Sequence, residues 1–188
     1  MPTVILEISL SLDGFAAGAN VSALNPMGDG GIRLHDWLFN EPTVADRAML
    51  DEVVKGAGAV IVGGVTYHTA IDGAWEGVSP FHVPAFVLTS QVPGDRVGFS
   101  FVTGGIGEAL KQAQKIAGDK NVWVMGGVTT IRSFLHAGLF DNLIIHLSPF
   151  LLGSGQKLFE EAGLHHIQLK KEQVVETPLA IHLKFSKA

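Results

Sequence analysis

The stretch from Asn121 to Leu139, NVWVMGGVTTIRSFLHAGL, constrains the fold more than any other, because it reads as a strand, a tight Gly-Gly turn and a helix in immediate succession. Val122, Trp123 and Val124 are β-branched or aromatic, as a buried strand prefers, while Ile131, Phe134 and Leu135 recur at helical spacing before Gly138 closes the helix. Gly126 and Gly127 carry no Cβ, so the backbone there can turn sharply and let a ligand approach. The N–H groups of Val128, Thr129 and Thr130 then point outward from a positive helix end. Two readings of the turn stay open: a pyrophosphate cradle, or a tight strand-to-helix connection and nothing more.

The same device occurs earlier. Ala59 to Val62 is a short apolar run bounded by glycines, a buried strand by pattern, and it leads into Gly63-Gly64-Val65-Thr66-Tyr67. Upstream, Thr3 to Leu10 reads as a strand ending at the Asp13-Gly14 turn, where Asp13 is a turn cap before it is anything chemical. Residues 16–33 are rich in Gly, Asn and Pro without periodicity and are expected to be irregular and mobile, the sort of long loop that serves function. Leu34 to Phe39 predicts one or two helical turns. Thr43 with Asp46 has the form of a capping box opening a helix with Val44, Ala48 and Val53 as apolar positions and Gly56 and Gly58 as its stop. Ala85 to Thr89 and Phe99 to Thr103 read as strands, and Glu108 to Ala117 as a helix with Ile106, Ala109, Leu110, Ala113, Ile116 and Ala117 along one face.

After Leu139 the texture changes. Asn142 to Ser148 alternates around Leu143, Ile145 and Leu147, and Ile167 to Val175 and Leu179 to Phe185 alternate across Thr177-Pro178 as a hairpin. Strand-helix alternation followed by antiparallel pairing implies an α/β fold with a mainly parallel central sheet, flanking helices and an antiparallel C-terminal hairpin. Residues 1–188 are expected to form one domain, since 188 residues give one proper core and would crowd two.

Composition narrows the function classes. Lys and Arg total 13 against 18 acids, a formal net charge of −5, which argues against a nucleic-acid partner. Cysteine is absent, so disulfides, thiolate catalysis and thiolate metal sites are excluded. The eight histidines form no metal constellation along the chain, His165 and His166 being adjacent and the rest isolated. Glu7 interrupts the first apolar stretch and no basic region precedes it, so a signal peptide is not indicated, and the longest apolar runs are far too short for a membrane span; a cytoplasmic location is the expectation. Ser154 lies in Gly-Ser-Gly without nucleophile-elbow spacing, which gives no support to a hydrolase. Trp37, Trp75 and Trp123 are read as core or pocket wall.

Five segments carry a family resemblance: SLDGFAAG (11–18), IVGGVTYHT (61–69), VPAFVLTS (83–90), VMGGVTTIRSFLHAGLFDNL (124–143) and SPFLLGSGQKLF (148–159). In this order they resemble the C-terminal reductase domain of the bacterial bifunctional deaminase-reductases of riboflavin biosynthesis, a family with the dihydrofolate reductase fold. The resemblance spans nearly the whole chain, and its last two segments are the specific ones. It implies an NADPH-dependent oxidoreductase, in that pathway a 5-amino-6-(5-phosphoribosylamino)uracil reductase, working as a homodimer on a small-molecule substrate.

Carried over position by position, the resemblance makes Gly63 and Thr66 the first nucleotide-contacting turn, and Thr89 and Ser90 the strand end near the adenosine ribose. Gly126, Gly127, Val128 and Thr129 become the pyrophosphate turn, while Ala16, Ala17 and Gly18 line the nicotinamide pocket and Asp36 is the acid and candidate proton donor. Two positions depart. Gly64 stands where dihydrofolate reductases place an Arg against the 2′-phosphate, which leaves NADH beside NADPH as a cofactor. Met125 stands where the pyrimidine reductases place a substrate-holding Glu. A thioether cannot accept a carboxylate's hydrogen bonds, so the acceptor is left as some small heterocyclic or carbonyl compound. A second class of function, a nucleotide- or flavin-binding protein without turnover, is separated from the first by cofactor oxidation.

Overall fold

The computed structural model describes residues 2–94, 96–159 and 166–188. In chain order the elements are β1 (Val4–Ser11), β2 (Phe15–Ala17), a 3-10 turn (Gly31–His35), α1 (Asp36–Phe39), α2 (Val44–Gly56), β3 (Ala57–Gly63), α3 (Gly64–Ala70), β4 (Ala85–Leu88) and β5 (Phe99–Val102). There follow α4 (Gly105–Ala117), β6 (Asn121–Gly126), α5 (Val128–His136), β7 (Asn142–Ser148), β8 (Gln156–Lys157), β9 (Leu169–Glu176) and β10 (Ile181–Lys187). An eight-stranded sheet runs β5-β4-β3-β6-β1-β7-β10-β9. Its first six strands in that order are parallel neighbours, and β10 and β9 close it antiparallel. This is the mainly parallel sheet with a C-terminal hairpin that the alternation of patterns predicts.

Every residue of β1 is buried, because strands lie on both its edges and helices on both its faces. Successive side chains go to opposite sides. Val4, Leu6, Ile8 and Leu10 join α4 and α5 in one core, with Leu110, Ala113, Ile131 and Phe134. Ile5 joins α2 and α3 in the other, with Met49, Val53, Tyr67 and Ile71. On this second face β1 also carries Glu7, Ser9 and Ser11, all buried.

Helix α2 opens on the expected capping box: Thr43 Oγ1 accepts from the Asp46 N–H at 3.2 Å, and Asp46 Oδ2 accepts from the Thr43 N–H at 2.8 Å. The helix turns a different face inward, however. Val44 is 87% exposed and Ala48 also lies outside, while Asp46, Met49 and Val53 are buried. The acid rather than Val44 turns in because the sheet face opposite it is polar. In α4 the expected stripe holds at Ala109, Leu110, Ala113 and Ala117, but Ile116 is exposed. The apolar residues of β7 are covered by this chain's own sheet, with Leu143, Ile144 and Ile145 all buried, so they leave little surplus for an interface; Leu151 is the exposed one of the run that follows.

The loop over residues 16–33 is irregular beyond β2, which pairs with β8. It is tied across itself by Gly18 N–H to Met27 O at 2.9 Å, Asp29 N–H to Ala19 O at 2.7 Å and Asn25 Nδ2 to Asp29 Oδ1 at 2.8 Å. Asp13 acts as the expected turn cap and more: it accepts from Ser11 Oγ at 2.5 Å and from the N–H groups of Leu152 and Gly153 at 3.0 and 2.7 Å, pinning the segment after β7 to the end of β1. The Ser11 hydroxyl, reinforced by those N–H groups and outweighing partial desolvation, holds the Asp13 carboxyl down to about 2. No helix among the described residues is long and apolar enough to cross a membrane.

A glycine-lined cavity and a buried acid-histidine array

At the carboxyl ends of β1, β3, β4 and β6 a cavity of about 1080 Å³ opens, where the order of a parallel sheet places ligands. It exceeds the roughly 300–1000 Å³ of ordinary small-molecule pockets, as an extended ligand requires. The two Gly-Gly turns meet there. A Cβ on Gly63 would collide with Thr130 Oγ1 and come within 3.1 Å of the Gly127 nitrogen, so only glycine lets the turns close on each other. Gly126 has φ +124°, a region that favours glycine, and the Gly126-Gly127 peptide is cis. No side chain caps α5, whose first interior bond runs from the Ile131 N–H to Gly127 O at 3.0 Å. The leading N–H groups of the helix thus have no partner among the described residues, a standing attraction for an anion at the cavity.

Of the residues the sequence marks, Ala16, Ala17, Gly63, Thr66, Thr89, Ser90, Gly126, Gly127, Val128 and Thr129 all line this cavity. Gly18 does not. It packs against the Asp29 backbone, so close that any Cβ would clash, and its part is to let the loop fold on itself. Asp36 also stands outside the lining, half-buried with its carboxylate 3.8 Å from Arg33 Nε. Trp37, Trp75 and Trp123 form part of the wall, and so does Met125. No Lys or Arg is among the lining residues described, so hydroxyls and backbone N–H groups are what the cavity offers a phosphate.

The second face of the sheet holds an array that the linear sequence conceals. Glu7 Oε1 lies 2.9 Å from His146 Nε2, His146 Nδ1 lies 2.7 Å from His182 Nδ1, and His182 Nε2 lies 2.8 Å from Asp46 Oδ1. All four residues are buried, and Glu7 and His146 also line the cavity. Trp37 covers the pair of rings, its centroid 4.2 Å from His146 and 5.1 Å from His182, and its Nε1 donates to Ser9 Oγ at 3.1 Å. Burial works against the Asp46 carboxylate, but hydrogen bonds from Thr43, His182 and Thr177 outweigh it and hold the group below its ordinary range. Burial, abetted by His146, depresses His182 despite its Asp46 partner.

His35 completes the polar wall. It retains some surface as a residue, yet its Nδ1 is closed off without a hydrogen-bond partner among the described residues, as is Trp123 Nε1. Burial first, then the neighbouring His146, pushes His35 down to about 4. Both unpaired atoms belong to lining residues, so each can meet a polar atom of a ligand. Of the histidines that stand apart along the chain, His35, His146 and His182 come together in space, while His165 lies outside the described residues. The signal that would have found the array is the alternation Glu7, Ser9, Ser11 in a strand otherwise apolar, repeated by His146 and Ser148 in β7. A buried strand that places polar groups on one face must satisfy them with something.

A family model described as the RibD C-terminal domain matches residues 2–183. Among curated proteins, the uncharacterized protein YyaP of Bacillus subtilis (strain 168) is 24% identical over 165 residues, covering 83% of this chain and 79% of that one. Among solved structures, a putative riboflavin biosynthesis protein from Shewanella sp. PV-4 superposes with TM-score 0.69 at 22% identity over 99% of both chains. Dihydrofolate reductase from Enterococcus faecalis, complexed with NADP(H) and RAB-propyl, superposes with TM-score 0.63 at 13% identity over 98% of this chain and 96% of that one.

Proposed function

Because the chain belongs to the RibD C-terminal domain family, we propose that it is a nicotinamide-dependent reductase, using NADPH or NADH, that acts on a small heterocyclic or carbonyl substrate. The observation that carries this reading is the meeting of the two Gly-Gly turns beneath the uncapped start of α5. The Shewanella and Enterococcus likenesses support it through the fold, and the latter protein was solved with NADP(H).

The residues present suit such a cofactor. Gly126, Gly127 and the N–H groups of Val128 and Thr129 would hold the pyrophosphate, Gly63 and Thr66 the facing turn, and Thr89 and Ser90 the ribose end. When bound, the reduced nicotinamide supplies the hydride. The protein binds, orients and excludes water, for which the apolar and aromatic wall of Trp37, Trp75, Trp123 and Met125 is suited. Asp36 faces away from this space, which is the observation favouring the second reading, a nucleotide- or flavin-binding protein without turnover.

Titration of the protein with NADPH, read by fluorescence, tests the site. Gly127→Asp places a carboxylate where the pyrophosphate would sit, at a backbone conformation open to any residue and against the movable Thr66 hydroxyl 2.7 Å from its Cβ. The variant is expected to fold and to bind NADPH more than tenfold more weakly, and equal affinity refutes the assignment. Oxidation of NADPH in the presence of an acceptor separates the two readings. We further propose a homodimer, supported by the exposed Leu12, Leu151 and Ile181 around the ends of β1 and β7.

A further inference from the structure

The array of Glu7, His146, His182 and Asp46 says more once its protons are counted. Three hydrogen bonds join four groups, and each bond needs one proton. Two neutral imidazoles bring one N–H each, so the third bond requires one proton more, held as a carboxylic acid or as an imidazolium. Complete, the array has a net charge of −1: two carboxylates offset by a single excess proton.

Two of its four resting places are poor ones. Asp46 already accepts from the Thr43 N–H at 2.8 Å, the Thr43 hydroxyl at 2.6 Å and the Thr177 hydroxyl at 2.8 Å, which favour its ionised form. His182, fully enclosed, resists becoming a cation. What remains is the cavity end, where the proton is shared between Glu7 Oε1 and His146 Nε2. The other Glu7 oxygen, Oε2, has no protein hydrogen bond among the described residues, and Glu7 lines the cavity.

We propose that this array is the proton source for the acceptor reduced in the cavity, Glu7 passing its proton to the nitrogen of a C=N group or the oxygen of a C=O group. The proposal rests on the reductase reading. The acceptor carbon gains hydride from the reduced nicotinamide, which is oxidised; the π pair moves to nitrogen or oxygen, and that atom takes the array's proton. The array falls to a charge of −2 and is refilled by one proton from water. The titratable groups facing the Glu7-His146 pair are His35 from the 3-10 turn, His182 from β10 and, behind it, Asp46 from α2.

The decisive variant is Glu7→Gln, in which the side-chain amide donates to His146 Nε2 and satisfies all three bonds with the two imidazole protons alone. Nitrogen-15 NMR of histidine-labelled protein reads the difference without any turnover. In the wild type the excess proton is expected either as a His146 ring protonated at both nitrogens or as a protonated Glu7 carboxyl in the infrared, and in Glu7→Gln both signals are expected to be absent. A wild type that shows neither a doubly protonated His146 ring nor a protonated Glu7 carboxyl overturns the proposal. Turnover is read with NADPH and 7,8-dihydrofolate, a cyclic imine. Glu7→Gln is expected to lower kcat on the order of a hundredfold with NADPH affinity unchanged, and Glu7→Asp to recover part of it. An unchanged kcat in folded Glu7→Gln overturns the donor role. Failure of the wild type to bind NADPH removes the reductase reading instead, and the nitrogen-15 and infrared results together still decide whether the excess proton exists.

Discussion

The Nδ1 atoms of His146 and His182 lie 2.7 Å apart, on residues directly opposite each other across the antiparallel pair β7 and β10. One ring must donate and the other accept, so the two imidazoles are locked into complementary tautomers, and each turns its Nε2 to a carboxylate. The contact joins the hairpin at the sheet's edge to the cavity at its centre.

In His182→Ala, His146 Nδ1 is left without its buried partner, at a cost on the order of 1–3 kcal/mol, while Asp46 Oδ1 keeps the Thr177 hydroxyl. Replacing His146 as well, in a His146→Leu/His182→Leu pair, removes two polar groups together. Urea unfolding of His146→Leu, His182→Leu and the double variant should show the double less destabilised than the sum of the singles, whereas additive effects would mean that the contact is not energetically coupled.

His35 predicts the response to acid. Its folded value is depressed to about 4 from an ordinary 6.5, chiefly by burial, so the unfolded chain binds the proton first. Stability conferred by the neutral ring is complete above pH 6.5 and is lost as the pH falls toward 4, by at most about 3 kcal/mol because part of the residue keeps its surface. Across this window the denaturant midpoint of the wild type should fall relative to that of His35→Gln as the pH is lowered. Parallel pH profiles would show that His35 contributes no linkage.

The strands, the two glycine turns and the capping box were legible because each is a local pattern: apolar runs, Gly-Gly, and Thr43 three residues before Asp46. The array was not, since its members come from β1, α2, β7 and β10 and meet only when the sheet is ordered. Asp46 shows the difference well. Its cap to Thr43 is local and was foreseen, while its bond to His182, 136 residues away, has no local trace. Asp36 shows the reverse failure, where position along the chain suggested a pocket acid but the helical turn aims it at Arg33. Gly18 fails similarly, its glycine serving the loop's closure on Asp29 and not the cavity.

Cofactor discrimination should be weak. With no Lys or Arg among the described lining residues, a 2′-phosphate meets only neutral groups such as Thr89, Ser90 and Gln91. Charge-assisted bonds, the main means of favouring a phosphate, are missing. The Kd values for NADPH and NADH are expected to lie within about tenfold of each other. Gly64→Arg should not repair this, because a Cβ there stands 2.8 Å from the Leu88 carbonyl oxygen and the backbone must shift to admit it. A preference for NADPH much above tenfold would point to a cation reaching the ribose end.

Assembly can be checked directly. Leu12 at 56% exposure, Leu151 at 66% and Ile181 at 38% leave an apolar surface beside a small hollow lined by Leu147, Pro149 and Pro178. Self-association would cover it. Light scattering at micromolar concentration is expected to give a dimer, and Leu151→Asp a monomer of unchanged fold; a monomeric wild type refutes the dimer.

The last expectation concerns the pyrimidine of the riboflavin pathway. Met125 lines the cavity, and a thioether leaves the donors of such a substrate unpaired, at about 1–3 kcal/mol per buried group. The loop tied through Gly18, Asn25 and Asp29 further shapes the mouth, bringing Val21, Leu24 and Met27 to its wall. Met125→Glu does not simply restore the missing partner, because Glu7 already faces the same cavity and a second carboxylate would compete with it for the available proton. The purified protein should therefore reduce 5-amino-6-(5-phosphoribosylamino)uracil poorly, and Met125→Glu should leave kcat/KM for that compound low. Efficient turnover by the unaltered protein, or growth of a riboflavin-auxotrophic strain that carries its gene, would show that Met125 is compatible with the pathway substrate after all.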